Sequence, residues 1–487
     1  MNDLAILKKK TMSGLFWTFS DLIMNQGIQF IIQVILARLL LPEDFGIIGM
    51  ITVVIAVSNS IIDSGFGNAL IREKNVTQKE YSTIFYFNLA ISILIYIILF
   101  FAAQTISSFF DEKRLIAILR ILSLSLIVNS FGIVQRTILT KKIEFKIQTK
   151  INVVASMLSG IAGVGAAFIG LGVWSLVIRT LIMSLLQSIL LFMYNKWIPS
   201  LEFDIKSFKK FFRFGWKLLL SGLINTLYSN LYFLIIGKGF STIELGYYTN
   251  ASKLKDTATQ SITSSIQKVS YPVLSNINNK EGNLKTSYKK ILKNAAFIIF
   301  PIIIGLAAIA KPLIILLFGE KWSNSIIYFQ ILCFEGMLYP IHAINLNAMQ
   351  VKGRSDLFLK VEIIKKAISI IIIGIVLILR LGIISLLWGA VLNSYISYFI
   401  NVYYTKTLIN YAVHEQIIDI MPSCITSGIM GAIVYLIGII LPFNKILIII
   451  IQLIMGVISY ILLNKIIKSG ELSNIENLLK NLLNRTK

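Results

Sequence analysis

Residues 37–46 read ARLLLPEDFG, and in a register of 200 positions residues 237–246 read GKGFSTIELG. In that register Arg38 meets Lys238, Asp44 meets Glu244, Phe45 meets Leu245 and Gly46 meets Gly246. Each turn lies between two long apolar stretches, 11–39 and 45–70 around the first, 214–237 and 246–274 around the second. Asn25 falls opposite Asn225 in the stretches that precede them. A segment of about 20 mostly apolar residues is long enough to cross a bilayer as a helix. The repeat therefore predicts two homologous lobes of membrane helices, the second beginning near the middle of the chain.

Working outward, the same length criterion places spans near 11–39, 45–70, 81–103, 115–138, 148–169, 172–194, 214–237, 246–274, 291–316, 324–349, 357–379, 381–404, 416–440 and 444–464. The expected fold is an all-α integral membrane protein of about 14 transmembrane helices. Two pseudo-symmetric six-helix lobes account for twelve of them. The expected organisation is a first lobe over 1–195, a cytoplasmic interfacial linker over 196–213, a second lobe over 214–410, and a helix pair with an amphipathic tail over 411–487. Parallel repeats of this kind are a transporter architecture, with the substrate route between the repeats.

Composition agrees. Of 487 residues, 56% are hydrophobic and 14% charged, against roughly 25% charged in a soluble domain. The net charge of +23 is distributed unevenly. With the N-terminus inside, 32 of the 46 Lys and Arg residues fall on the cytoplasmic side, nine outside and five within helices. That asymmetry sets the expected orientation, with both termini cytoplasmic, and the Ile-, Lys- and Asn-rich usage points to a bacterial cell membrane. The asymmetry accounts for the basicity without nucleic acid. Cys333 and Cys424 stand alone in apolar segments and His342 and His414 are isolated, so no metal site, redox centre or cofactor is expected. No GxxxxGK[ST] loop is present to hold a nucleotide.

Two segments read as interfacial helices on the cytoplasmic leaflet. Asp204 to Trp216 alternates Phe208, Phe211, Phe212 and Phe214 with Lys206, Lys209, Lys210 and Arg213, with Asp204 placed to cap it. Near the C-terminus Ile475, Leu478, Leu479, Leu482 and Leu483 share one helical face.

The eighth stretch is the least apolar. From Thr249 to Gln267 it carries Asn250, Lys253, Lys255, Asp256 and Gln260 among many Ser and Thr residues. Such a helix cannot face lipid, where each charge costs about 2.5–3.5 kcal/mol. Lining a cavity is the expected role, with Asp256 partnering one lysine; the competing reading is that both lysines snorkel to the outer interface. Asp21, Asn25 and Gln29 follow at i, i+4 and i+8 on the first helix, either as cavity lining or as interhelical glue. Arg179 lies about two turns into the sixth span. These residues, with Lys253, Lys255, Asp256 and Gln260, are the candidate substrate contacts. Asp63, Arg38, Asp44, Lys238 and Glu244 are candidates for coupling or gating. Arg120 and Arg136 lie near helix ends, and snorkelling explains them. A cationic cavity ringed by hydroxyls and amides suits a phosphate or diphosphate head with sugars attached.

The run GLFWTFSDLIMNQGIQFIIQVILARLLLPEDFGIIGM (14–50), followed by DSGFGNALIREKN (63–75), resembles the N-terminal region of bacterial polysaccharide flippases. These are the Wzx-type, teichuronic-acid and colanic-acid exporters of the multidrug/oligosaccharidyl-lipid/polysaccharide superfamily, whose two-lobe layout is shared by the multidrug antiporters (a MATE-like fold). The resemblance implies a transporter, not an enzyme. It implies an undecaprenyl-diphosphate-linked oligosaccharide as substrate, moved from the cytoplasmic to the outer leaflet by alternating access coupled to a proton or sodium gradient. Membrane lipids, a polysaccharide polymerase and chain-length machinery are the implied partners. A multidrug cation antiporter and a lipid II flippase are the other readings on the same fold. A polymerase or ligase would need a long outer loop with catalytic Arg or His, and none is present.

Overall fold

The computed structural model describes residues 2–63, 65–277, 281–474 and 476. The C-terminal amphipathic stretch from Ile475 onward lies outside the described residues but for position 476. Among the described residues every regular element is a helix. By contacts the chain forms two units, 1–249 and 250–487.

The first unit begins with α1 (Asn2–Leu39), α2 (Pro42–Asp63), α3 (Phe66–Arg72) and α4 (Gln78–Phe110). It continues through α5 (Leu115–Leu122), α6 (Leu124–Lys141), α7 (Phe145–Phe168), α8 (Trp174–Asn195), α9 (Ile205–Ser229) and α10 (Leu231–Gly239), and takes in the start of α11 (Thr242–Ile277). The second unit comprises the rest of α11 with α12 (Glu281–Ala308), α13 (Ala310–Phe318), α14 (Ser325–Gly336), α15 (Tyr339–Val351), α16 (Ser355–Ile378), α17 (Gly382–Ile409), α18 (Val413–Ile440) and α19 (Lys445–Ile466).

Among the described residues eleven helices or helix pairs are long and apolar enough to cross a membrane, and α9 with α10, bent by 44°, makes a twelfth. Their outward faces are apolar: Leu453, Ile454 and Val457 of α19 are each more than half exposed. In water such faces would associate, whereas hydrocarbon leaves them satisfied. Two more long helices fall short of that apolarity: α11 is rich in Ser, Thr and Gln, and α16 carries Glu362, Lys365 and Lys366 within its apolar length.

Local chemistry sets the helix ends. Pro42 opens α2, where its missing N–H costs nothing, and the Asp44 carboxylate accepts from the Leu41 amide at 2.9 Å. Thr77 and Glu80 form a capping box on α4, so Thr77→Ala should cost about 1 kcal/mol in detergent thermal unfolding. At the α9–α10 bend, Asn230 donates its amide to the Thr226 carbonyl at 2.8 Å, competing with the helix backbone. The α14–α15 break follows from Pro340, which has no N–H to offer the Gly336 carbonyl four residues back.

The segment expected as a separate linker is different. Residues 205–213 are the first turns of α9, and no proline interrupts them before Trp216. Nor do all its phenylalanines lie on lipid. Phe211 is buried, Phe208 packs 4.9 Å from Phe87, and Lys210 bridges Glu73 at 3.0 Å and Glu80 at 3.1 Å. Those carboxylates and the rings of α3 and α4 offer the segment a protein surface. Asp204 does cap the helix, and its bonds to the Ser207 hydroxyl and amide hold its carboxyl below the usual carboxylate range. The cap is therefore intact at neutral pH and is lost only as pH falls through that lowered value.

The repeat register reappears as contact. A Cβ on Gly46 would overlap the carbonyl oxygen of Thr242, and a Cβ on Gly246 would overlap that of Pro42. One turn on, a Cβ on Gly49 would lie 2.8 Å from the Thr249 hydroxyl. Pro42 and Thr242, like Gly46 and Gly246, are equivalent positions, so the starts of α2 and α11 cross about a local twofold axis, backbone against backbone.

Candidate functional site

In the first unit, α1 and α7 face each other through polar stripes. Asn152 donates to the Asp21 carboxylate at 3.3 and 3.4 Å, and Ser156 donates to Asn25 Oδ1 at 2.6 Å. Gln29 donates to the same Asn25 oxygen at 3.3 Å. The Asp21, Asn25 and Gln29 stripe thus bonds within and between helices. Asn25 also opens onto a cavity.

That cavity, about 240 Å³, is lined by Asn25, Gln148, Asn152, Gln187 and Arg136. A second, about 480 Å³, is lined by Asn59, Asp63, Asn68, Asn129, Gln187 and again Arg136. Arg136 lies deep among the helices, yet its side chain is solvent-accessible because it borders both spaces. Among the described residues its one hydrogen bond is long, 3.5 Å to Gln187 Oε1, and Asp63 and Asp21 act on it through space. A guanidinium with five donors and one weak bond is an open anion site. Snorkelling does not describe it: α6 ends at Lys141, and it is Lys141 that reaches the loop carbonyl of Glu73, at 2.6 Å. A lone arginine near a helix end gives no such signal. Gln148, Asn152 and Ser156, spaced i, i+4, i+8 on α7, would have pointed to the facing cavity wall.

Arg179 packs its stem over Gly163 and has no ion pair or hydrogen bond among the described residues. At the turns, Asp44 is engaged in capping, Lys238 stands 5.1 Å above the Phe109 ring, and Glu244 has its amide on the Ser241 hydroxyl. Glu43 forms an ion pair there with Arg114.

In the second unit Lys255 is buried. Its ammonium lies 2.9 Å from Asp256, 3.1 Å from Glu335 and 3.3 Å from the Tyr339 hydroxyl, which donates to the other Glu335 oxygen at 2.6 Å. Its donors are already taken, whereas Lys253 and Gln260 are exposed. Glu335 and Tyr339 are the partners that sequence reading did not bring to Lys255. An apolar cleft of about 340 Å³ between α12, α18 and α19 offers only Gln452 and Tyr460 as polar groups and cannot hold a charged head.

The comparisons with known proteins agree with this architecture. A model of the family described as polysaccharide biosynthesis protein matches residues 35–327. A teichuronic acid biosynthesis protein of Bacillus subtilis (strain 168) is 25% identical over 354 residues, covering 72% of this chain and 73% of that protein. A lipopolysaccharide biosynthesis protein of Escherichia coli (strain K12) is 26% identical over 403 residues, 81% of each. Among solved structures, the lipid II flippase in an inward closed conformation superposes with a TM-score of 0.75 at 18% identity, covering 94% of this chain and 98% of that one. An inward-facing multidrug transporter of the MATE family superposes with a TM-score of 0.63 at 15% identity, covering 79% of this chain and 94% of that one. The fold is that of these transporters, and by the family match the chain belongs to the polysaccharide biosynthesis protein family.

Proposed function

We propose that the chain is a flippase for cell-surface polysaccharide synthesis. It carries an undecaprenyl-diphosphate-linked oligosaccharide repeat unit from the cytoplasmic to the outer leaflet by alternating access driven by an ion gradient. The observation that carries this is Arg136 in its ring of amides. The guanidinium suits a diphosphate, Asn and Gln around it suit sugar hydroxyls, and an isoprenoid tail would remain in lipid. In this reading α11 and α16 are also spans, tolerated because their charges are paired or face protein, which brings the total to fourteen. Both termini are cytoplasmic, placing the α2–α11 glycine crossing at the outer face. A polymerase and chain-length machinery would take up the product.

The test is a strain lacking the gene. It should accumulate lipid-linked repeat units by mass spectrometry, and the wild-type chain should clear them. Arg136→Ala should lower export by about ten- to a hundredfold, the equivalent of losing roughly 1.5–3 kcal/mol of charge-assisted hydrogen bonding. Arg136→Lys should recover part of it. Full export by Arg136→Ala at normal membrane abundance would refute the role of this site.

A further inference from the structure

We propose that Glu335, tied to Lys255, Asp256 and Tyr339, is where the second unit takes up and releases the proton that drives transport. This rests on the ion-driven flippase reading above. The cluster holds one ammonium and two carboxylates, a net charge of −1 at membrane depth. One proton cancels it. A metal cation does so less well, because the Lys255 ammonium already occupies the position between the two acids and would repel it.

The place suits a coupling site. Glu335 ends the last full turn of α14 and Tyr339 begins α15, so the acid and the hydroxyl that donates to it flank a break in one span. Discontinuous helices are where transporters hold coupling ions. Gly336 lets α11 in: a Cβ there would come within 2.9 Å of Lys255 Cδ and 2.8 Å of Thr259 Cγ2. The Lys255–Glu335 bond is therefore a tie between α11 and the broken span.

A polar route leads away from the cluster. The Ser394 hydroxyl donates to the Glu335 backbone carbonyl at 3.0 Å and lies 3.3 Å from His342 Nε2. Asn401 Nδ2 lies 3.1 Å from His342 Nδ1; with the amide donating, Nε2 carries the ring proton. Beyond it the Asn401 carbonyl oxygen of the side chain and the Tyr398 hydroxyl are buried with no partner among the described residues. Buried polar atoms are normally satisfied, and orphans in a row along α17 are places for water. One turn beyond His342, Tyr288 donates to Asn345 at 2.8 Å, and the Tyr288 ring packs 5.8 Å from Tyr411, whose hydroxyl donates to Asp419 beside Lys289. Cys333 beside Lys255, Lys365 acting on His342 from α16, and Lys285 over the Tyr411 ring and paired with Glu415 also face this network.

In the step itself, a proton from water at one face bonds to a Glu335 carboxylate oxygen and is later returned to water at the other. No other covalent bond changes. While it is bound, Lys255 keeps Asp256 as its charged partner and the tie between α11 and α14 weakens. A ligand shifts a conformational equilibrium only by binding its states unequally, and this tie is what makes the binding unequal.

The test uses the full chain reconstituted in lipid vesicles, followed by infrared difference spectroscopy as the medium is acidified, together with export in cells. Glu335→Gln preserves shape and hydrogen bonding, so it should insert normally, lose a protonated-carboxyl band that the wild-type chain gains, and lower export about tenfold or more. Glu335→Asp should keep a shifted band. An unchanged band in Glu335→Gln, or export at the wild-type level, would overturn the assignment. If instead the deletion strain accumulates no lipid-linked repeat unit, the flippase reading fails, while the band still reports on the proton site.

Discussion

Leucine at Gly46 or Gly246 should abolish export while leaving the protein in the membrane. A single Cβ at either position already overlaps a carbonyl oxygen of the opposing helix. The obstacle is backbone, which cannot rotate away as a side-chain tip can. Overpacking among side chains costs typically 1–3 kcal/mol, and a branched side chain against backbone costs more, so α2 and α11 must separate. Each helix keeps its internal hydrogen bonds, and insertion is unaffected. What is lost is close approach of small residues, the packing that holds helices together when no hydrophobic effect operates between them. On the sidedness proposed above, this crossing closes the outer face. With Cys333 and Cys424 replaced by alanine, Thr249→Cys should then react with a membrane-impermeant maleimide added outside much faster in Gly46→Leu than in the glycine parent. Equal labelling together with normal export would show that the crossing is not a closure. Because the two glycines are equivalent by the 200-residue register, Gly246→Leu should behave the same way.

That crossing shows what a sequence exposes and what it hides. Gly46 and Gly246 could be matched from the order of residues alone, since both turns carry the same sequence of cation, acid, apolar residue and glycine. Their packing against each other's first turn could not, because glycine in a sequence does not say what approaches it. The all-helical membrane class was legible from apolar length and sparse charge. The polar stripe Asp21, Asn25, Gln29 was legible from its period of four, and α7 answers it with Asn152 and Ser156 on a matching period. Arg136 was not legible, because proximity to a helix end in sequence says nothing of the cavity beside it. Lys255 was visible as a charge that hydrocarbon would not accept, but its partner Glu335 lies 80 positions away, and periodicity is blind at that distance. The interfacial segment was read only in part for a related reason. Alternating Phe and Lys fits lipid as well as it fits a protein surface, and the sequence does not show that Glu73, Glu80 and Phe87 meet one side of it.

Removing the ammonium of Lys255 should be the most destabilising single change in the second unit. Its side chain is 5% exposed and bonded to two acids, one of which, Glu335, is itself only 18% exposed. A buried ion pair is weak evidence of net stability, because desolvating both partners offsets their attraction. Deleting one partner is another matter, since the other is left charged in a medium that cannot solvate it, at about 3–5 kcal/mol. Lys255→Met keeps the length and packing of the stem against Gly336 and deletes only the charge. It should lower the thermal midpoint in detergent and the amount of protein in the membrane. Glu335→Gln added to it should restore much of both, because the double variant no longer strands that acid. The size of the recovery measures the coupling between the two residues, as a double-mutant cycle does. A recovery near zero would mean that Lys255 acts through Asp256 alone and that the tie between α11 and α14 contributes nothing. Recovery of stability without recovery of export would separate the structural part of the pair from the part that moves a proton.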